Sequence, residues 1–426
     1  MERNDPRYQA YVEILKEELI PAMGCTEPIA LAYAAAKARE VLGVLPDSVQ
    51  LQVSGSIIKN VKSVIVPNTG HLKGMEAAVA AGIIAGSAEK ELEVISEVSE
   101  EKKSAIRDYL QTVPITIEHT EQGHVFDIVV TERCGQDYAR VRIADYHTNI
   151  CRIEKNGTVL YEVPLLDETV QENARADRSL LNMQDIWDFA ETADLRDVVD
   201  LLERQIRYNN AIAEEGLLGD YGANIGRVLL TTYGNDVSNR AKAKAAAGSD
   251  ARMNGCELPV IINSGSGNQG ITCSVPLIEY AKELHSGKEK LYRALIISNL
   301  VAIHEKTGIG TLSAYCGAVS AGAGAGAGIV YLCGDGYQAA IHTVVNALAI
   351  VSGIVCDGAK ASCAAKIASS VDAALLGYNM YKCNQEFKGG DGIVMKDIET
   401  TIKGIGRLGK DGMRQTNEEI IRLMMS

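Results

Sequence analysis

Hydrophobic positions change their period part-way along the chain. Tyr8, Tyr11, Ile14, Leu15, Leu19 and Ile20 recur at helical spacing and Pro21 stops the run, so a helix over 7–20 delivers the chain to Met23-Gly24-Cys25-Thr26-Glu27-Pro28. The Ala-rich stretch 29–41 lacks Gly and Pro; with Thr26 as N-cap and Pro28 in the first turn it reads as a second helix, with Cys25 just before its amino terminus. Residues 49–53 alternate as a strand, Ser54-Gly55-Ser56 reads as a turn, 57–66 as a mixed segment and 76–86 as a small-residue helix. Short β-rich runs follow at 114–119, 124–133, 138–144, 149–153 and 159–163, the last two joined by a hairpin turn at Lys155-Asn156-Gly157-Thr158. Residues 167–179 are polar and aperiodic, as in a linker. Beyond Leu180 the period is helical, over 183–190, 195–214, 236–247, 276–285, 288–305, 338–351, 363–378 and 418–425. The pattern predicts an α+β protein, with an N-terminal α/β domain over 1–179 holding an antiparallel sheet, and a largely helical domain over 180–426.

Composition narrows the partners. The chain has 426 residues, with 42 Lys and Arg against 55 Asp and Glu, a net charge of −13. That sign disfavours phosphate backbones and anionic lipid, and the nearest approach to a basic patch is Glu101-Lys102-Lys103, so no nucleic-acid partner is expected. Residues 1–7 are charged where a signal peptide needs an apolar core, which predicts a cytoplasmic protein. Two stretches, 312–333 and 338–356, are free of charge over a membrane-like length. Gly317, the Gly/Ala alternation over 322–328, His342 and Asn346 interrupt them, and they read as buried core helices, with no membrane partner expected. Ten cysteines in a reducing compartment serve packing, catalysis or metal binding. A homo-oligomer stays open.

The Gly-rich segment Asn263 to Gly270 follows an apolar run and precedes a helical one. Such a loop aims backbone N–H groups at a carboxylate or phosphate, which makes Ser264, Gly265, Gly267, Asn268 and Gly270 substrate-binding candidates; a tight structural connection is the alternative. It lacks the Lys-Ser/Thr pair of a P-loop. Cys316, Cys356 and Cys363 are spaced by 40 and 7 residues, unlike a ferredoxin run or a zinc ribbon. Three thiolates have the number to hold three corners of a [4Fe–4S] cluster and leave the fourth iron open as a Lewis acid; simple packing is the alternative. His71, His304 and His342, and Cys134, Cys151, Cys256, Cys273, Cys333 and Cys383, show no partner pattern and read as structural. Asp357, beside Cys356, is a candidate to orient groups behind the thiols.

The motifs Pro21-Ala22-Met23-Gly24-Cys25-Thr26-Glu27-Pro28, Ser54 to Val61, Asn263 to Gly270, Ile354 to Ala364 and Gly389 to Val394 together resemble the L-cysteine desulfidase family, also described as serine-dehydratase-like. The likeness runs from near residue 7 to the carboxyl terminus, and the helical half resembles the α domain of iron–sulfur L-serine dehydratases. The resemblance implies β-elimination on L-cysteine, a small amino-acid substrate, to hydrogen sulfide, ammonia and pyruvate. It also implies a [4Fe–4S] cluster on Cys316, Cys356 and Cys363, with no pyridoxal phosphate. Cys25 matches the family's amino-terminal cysteine and is expected to be the catalytic base, its thiol lowered by the helix terminus and metal; a fourth cluster ligand is the alternative role. Lys59 and Asn60 lie in a matching motif and are candidates for the substrate carboxylate.

Three rival readings remain. L-serine dehydratase needs only a different leaving group. A pyridoxal-phosphate enzyme would use SGSGNQG as an asparagine loop, but Lys242 and Lys244 lie on a face that reads as solvated. A membrane or scaffold protein would use the Gly/Ala stretches for close helix packing.

Overall fold

The computed structural model describes residues 1–120, 124–165, 175–310 and 313–425. Helix α1 (Pro6–Glu18) opens on the Asp5 cap, and its buried Tyr8 and Tyr11 meet Phe189 edge-to-face. Strand β1 (Pro21–Met23) leads into α2 (Thr26–Leu42), ended by Gly43 in a left-handed conformation. Cys25, rather than Thr26, occupies the N-cap position of α2, and its side chain makes no capping bond.

Strand β2 (Ser48–Val53) is followed by α3 (Gly55–Val61), where sequence pattern had suggested a turn and a mixed segment. Helices α4 (Gly74–Ala85) and α5 (Glu100–Thr112) then carry the chain to β3 (Ile115–His119), which pairs parallel to β2. Strands β4 (Asp127–Cys134), β5 (Asp137–Ala144), β6 (Ile150–Lys155) and β7 (Thr158–Glu162) add antiparallel, giving the order β3-β2-β4-β5-β6-β7. The sheet is therefore antiparallel except at one pair. Helix α2 lies across β4 and β5, so its Ala-rich face closes the sheet's core. Most of the expected linker, 167–174, lies outside the described residues.

The remaining chain is helical: α6 (Met183–Thr192), α7 (Val199–Leu218), α8 (Ile225–Tyr233), α9 (Val237–Met253), then, after β8 (Pro259–Ile261), α10 (Gly267–Glu283), α11 (Lys288–Ile309), α12 (Gly317–Cys333), α13 (Tyr337–Val351), α14 (Ser362–Lys382), α15 (Ile398–Arg407) and α16 (Arg414–Met425). The whole is an α+β arrangement. Helix α12, the Gly/Ala segment, is central and touches α10, α11, α13 and α14. A methyl added at Gly324 would lie 2.4 Å from the Ser298 carbonyl oxygen of α11, and one at Gly322 2.8 Å from Ser370 of α14. The segment is a buried core helix, as expected, and its alternating glycines allow backbone-to-backbone approach on two sides. Among the described residues no helix is long and apolar enough to cross a membrane.

Strand β1 pairs antiparallel with β8, which fastens the amino-terminal part to the helical part across the expected boundary near 180. The Cys25 turn and the Gly-rich loop leave opposite ends of this short two-stranded ribbon and meet where the Thr26 hydroxyl donates to Gly265 O at 3.1 Å.

Candidate active site

Four helix starts converge on one cleft, whose empty volume with its mouth is about 830 Å³. Cys25 precedes α2, Ser266 caps α10 by accepting from the Gln269 amide, Cys316 precedes α12, and Cys363 lies in the first turn of α14. The partial positive charge of these ends favours anionic groups in the space between them. Cys25, Lys59, Asn60, Ser264, Gly265, Asn268, Cys316, Cys356 and Cys363 all line it. Gly267 and Gly270 do not. A methyl at Gly270 would strike the Ile261 carbonyl oxygen at 1.9 Å, so that residue lets α10 pack on β8.

Backbone pairing brings the three distant cysteines to one wall. Tyr315 and Val355 form an antiparallel bridge, with the Cys316 amide donating to Ile354 O at 3.1 Å and the Cys356 amide to Ala314 O at 2.6 Å. The loop then turns at Gly358, whose φ is +94°, and returns Cys363 so that its thiol lies 3.6 Å from Gly358 O. Asp357 bonds to Lys366 and sits 3.3 Å from Lys360, which pins the loop from outside. Burial, with the neighbouring Cys356, pushes the Cys316 thiol up to about 12, and burial raises Cys363 as well. Among the described residues no three His, Cys, Asp or Glu side chains are grouped closely enough to hold a single metal ion. A cuboidal cluster binds each thiolate through a different iron and so takes a wider set of donors than one ion; three thiols on one wall, beside the buried cations Lys59 and Lys306, suit its number of corners and its charge.

The opposite wall centres on Glu27. It is buried and accepts from the Cys25 thiol at 3.0 Å, the Thr26 hydroxyl at 3.1 Å and the Asn60 amide at 3.1 Å. His147 Nε2 stands 4.0 Å from its other side, beyond hydrogen-bond range. Burial opposes the Glu27 charge, but the His147 ring and the donated hydrogen bonds hold its carboxyl below the usual range. Burial first, and then the Glu27 charge, push the Cys25 thiol well up. The expectation was a thiol lowered by the helix terminus and a nearby metal together; in the protein alone the helix terminus does not prevail, and the S–H is turned onto Glu27.

A UPF0597 protein of Desulfitobacterium hafniense is 61% identical over 426 residues, covering 100% of this chain and 99% of that protein. UPF0597 proteins of Lachnoclostridium phytofermentans (52% over 419 residues, 98% and 100% covered) and Treponema denticola (46% over 430 residues, all of both) are also similar. The family model for the serine dehydratase alpha chain matches residues 89–422. The chain belongs to the serine dehydratase alpha chain family. This family is of lyase type and is associated with iron–sulfur serine dehydratases. The matched span contains the three-cysteine wall, the Gly-rich loop and His147, whereas Cys25, Glu27, Lys59 and Asn60 precede it.

Four cleft residues escaped sequence reasoning in this serine-dehydratase-like chain: Glu27, His147, Arg252 and Lys306. Glu27 lay unassigned inside a noted motif, and Lys306 is a lone cation ending the apolar run of α11. His147 packs edge-to-face on Phe126 at 4.7 Å. By contrast His304 pairs with Glu399, His342 with Glu386, and neither lines the cleft. Lys242 and Lys244 pair with carboxylates at Asp372, Glu214 and Glu279, away from the cleft. The Lys59 ammonium donates to Asn417 of α16 at 2.6 Å and to Ser313 O at 3.3 Å, so it also ties three segments together.

Proposed function

We propose that the protein is a carbon–sulfur lyase, an L-cysteine desulfidase that carries a [4Fe–4S] cluster on Cys316, Cys356 and Cys363. The observation that carries this reading is the cleft itself, which sets three thiols with no disulfide partner opposite a Cys25–Glu27 hydrogen bond. When bound, the cluster supplies a Lewis-acidic iron for the departing sulfur.

The chain's own residues handle the proton and the orientation. Cys25 donates its S–H to Glu27 at 3.0 Å, which orients its sulfur in the cleft, and as the base it takes the substrate Cα proton in its thiolate form. Burial and the Glu27 charge keep this thiol protonated at rest, so its proton must leave before the substrate Cα–H breaks. The Cα–H and Cβ–S bonds break, a carbon–carbon double bond forms, and sulfide leaves with aminoacrylate, which water converts to pyruvate and ammonia. Asn60 holds Glu27 in place, and the loop 264–266 with the first turn of α10 covers the substrate. The family's description favours a second reading in which L-serine loses its hydroxyl in the same cleft.

Anaerobically reconstituted protein should release sulfide and pyruvate in equal amounts from L-cysteine. Cys316→Ala should lose both iron and turnover, whereas Cys25→Ala should keep iron and lose turnover. Pyruvate from L-serine with no sulfide from L-cysteine would transfer the assignment to the second reading, and an active Cys25→Ala would remove the base.

A further inference from the structure

Among the described residues, two opposite charges in the cleft make no hydrogen bond to a group of the other sign. Arg252, at the end of α9, is only 3% exposed, yet among the described residues its one side-chain hydrogen bond is from Nη1 to Asn268 Oδ1 at 3.2 Å, and its buried Nε has no partner. Among the described residues it forms no ion pair. Glu27 accepts three hydrogen bonds from neutral donors, and the His147 ring stands 4.0 Å away. A guanidinium buried without a carboxylate carries a large desolvation cost unless an anion completes it.

We infer that Arg252 is the anchor for a substrate α-carboxylate and Glu27 the acceptor for its α-ammonium, so that the cleft selects a free α-amino acid zwitterion. The inference rests on the amino-acid lyase reading above and adds how the substrate lies. Gly267 is part of the arrangement: a methyl there would stand 2.3 Å from Arg252 Nε, so glycine lets the guanidinium lie against the start of α10. The Arg252 charge is felt at Cys25, whereas the Lys306 ammonium is felt at Cys316 and Cys356. The carboxylate lies at the Arg252–Asn268 end, Cα beside Cys25, and the β-substituent toward the thiols. A peptide or an amide has no carboxylate for Arg252 at the same spacing.

The test is calorimetric titration of anaerobic, cluster-loaded protein with L-alanine, which has no leaving group, beside propionate, ethylamine and L-alaninamide. L-Alanine should bind, and each analogue lacking one charge should bind at least ~30-fold more weakly, the loss expected when one partner of a buried charge pair is removed. Arg252→Gln should lose L-alanine by the same factor, and Arg252→Lys should recover part of it. Equal affinity for L-alanine and L-alaninamide in the native protein overturns the inference, even if Arg252→Gln fails to fold. Loss in Lys306→Gln with none in Arg252→Gln also overturns it. Arg252-dependent L-alanine binding without sulfide or pyruvate production would leave the anchor standing and refute the reaction. Turnover with KM unchanged in Arg252→Gln would do the reverse.

Discussion

Replacing Gly358 by alanine perturbs the thiol wall through the backbone alone. Gly358 has φ +94°, and a methyl there would stand 2.0 Å from the Lys59 carbonyl oxygen and 2.8 Å from its carbon. The oxygen contact falls more than an ångström short of van der Waals distance, and the obstacle is main chain, which has no rotamer to adopt. Positive φ costs an L-residue roughly 1–2 kcal/mol, and forcing extra volume into a packed site costs about 1–3 kcal/mol more. A total near 2–5 kcal/mol is less than a domain's usual stability of roughly 5–15 kcal/mol, so the chain still folds and the 356–363 loop lifts away from α3. Gly358→Ala should therefore reconstitute with well under half the native iron and melt several degrees lower. Gly353→Ala, at a position with negative φ and open space around its Cβ, should behave as native. Iron analysis, visible absorbance and thermal melting of the pair read this directly. Native iron content and an unchanged melt in Gly358→Ala would refute the close approach of loop and helix.

Two pH-dependent outcomes follow from the buried charges. Burial and then Glu27 raise the Cys25 thiol. Glu27→Gln removes the negative neighbour and keeps the burial, so the pH at which Cys25 is alkylated, followed by mass spectrometry of its peptide, should move down; an unshifted profile would contradict the contact. Burial depresses the Lys306 ammonium to about 8, against 10.5 for an ordinary lysine, with Cys356 and Cys316 opposing. Between those pH values the unfolded chain binds more protons than the folded one, so stability of the metal-free protein rises with pH across the window, and the full penalty of about 3 kcal/mol applies below it. Lys306→Met should raise the urea midpoint of metal-free protein at pH 7 and gain little at pH 10; a gap independent of pH would show that Lys306 is solvated.

Strands were legible where alternation survives over one buried face: the runs at 49–53 and 138–144 fall within a residue of β2 and β5, whereas β7, exposed throughout, was legible from the Asn156-Gly157 turn before it. Helix α3 was hidden by its own start. Ser54 is an N-cap in extended conformation and Gly55 must be small because Ile421 and His119 approach it, so the same residues look like a turn. Helices α5, α8 and α15 were missed as well: α5 is charged along much of its length, and α8 exposes most of its surface. Within the cleft, Cys25, Asn268 and the three thiols stood out as residue types in unusual surroundings. Arg252 and Lys306 did not, because a single cation near a helix end looks the same in sequence whether it faces water or a buried cleft. Only the β1–β8 pairing, and the 314–316 to 354–356 bridge, reveal which.

Helix α12 holds Cys316 in a frame that has no free face. Its glycines are occupied by the carbonyls and side chains of neighbouring helices, so neither a larger residue nor a shift along the axis is accommodated. The thiol wall is in that sense the fixed jaw of the cleft. The other jaw, residues 25–27, His147 and the loop 264–268, is built from turns and helix starts. Divergence among proteins sharing this fold, toward a larger side chain or another leaving group, has its room on that jaw, and changes in substrate should track substitutions there while the glycine-packed helix stays as it is.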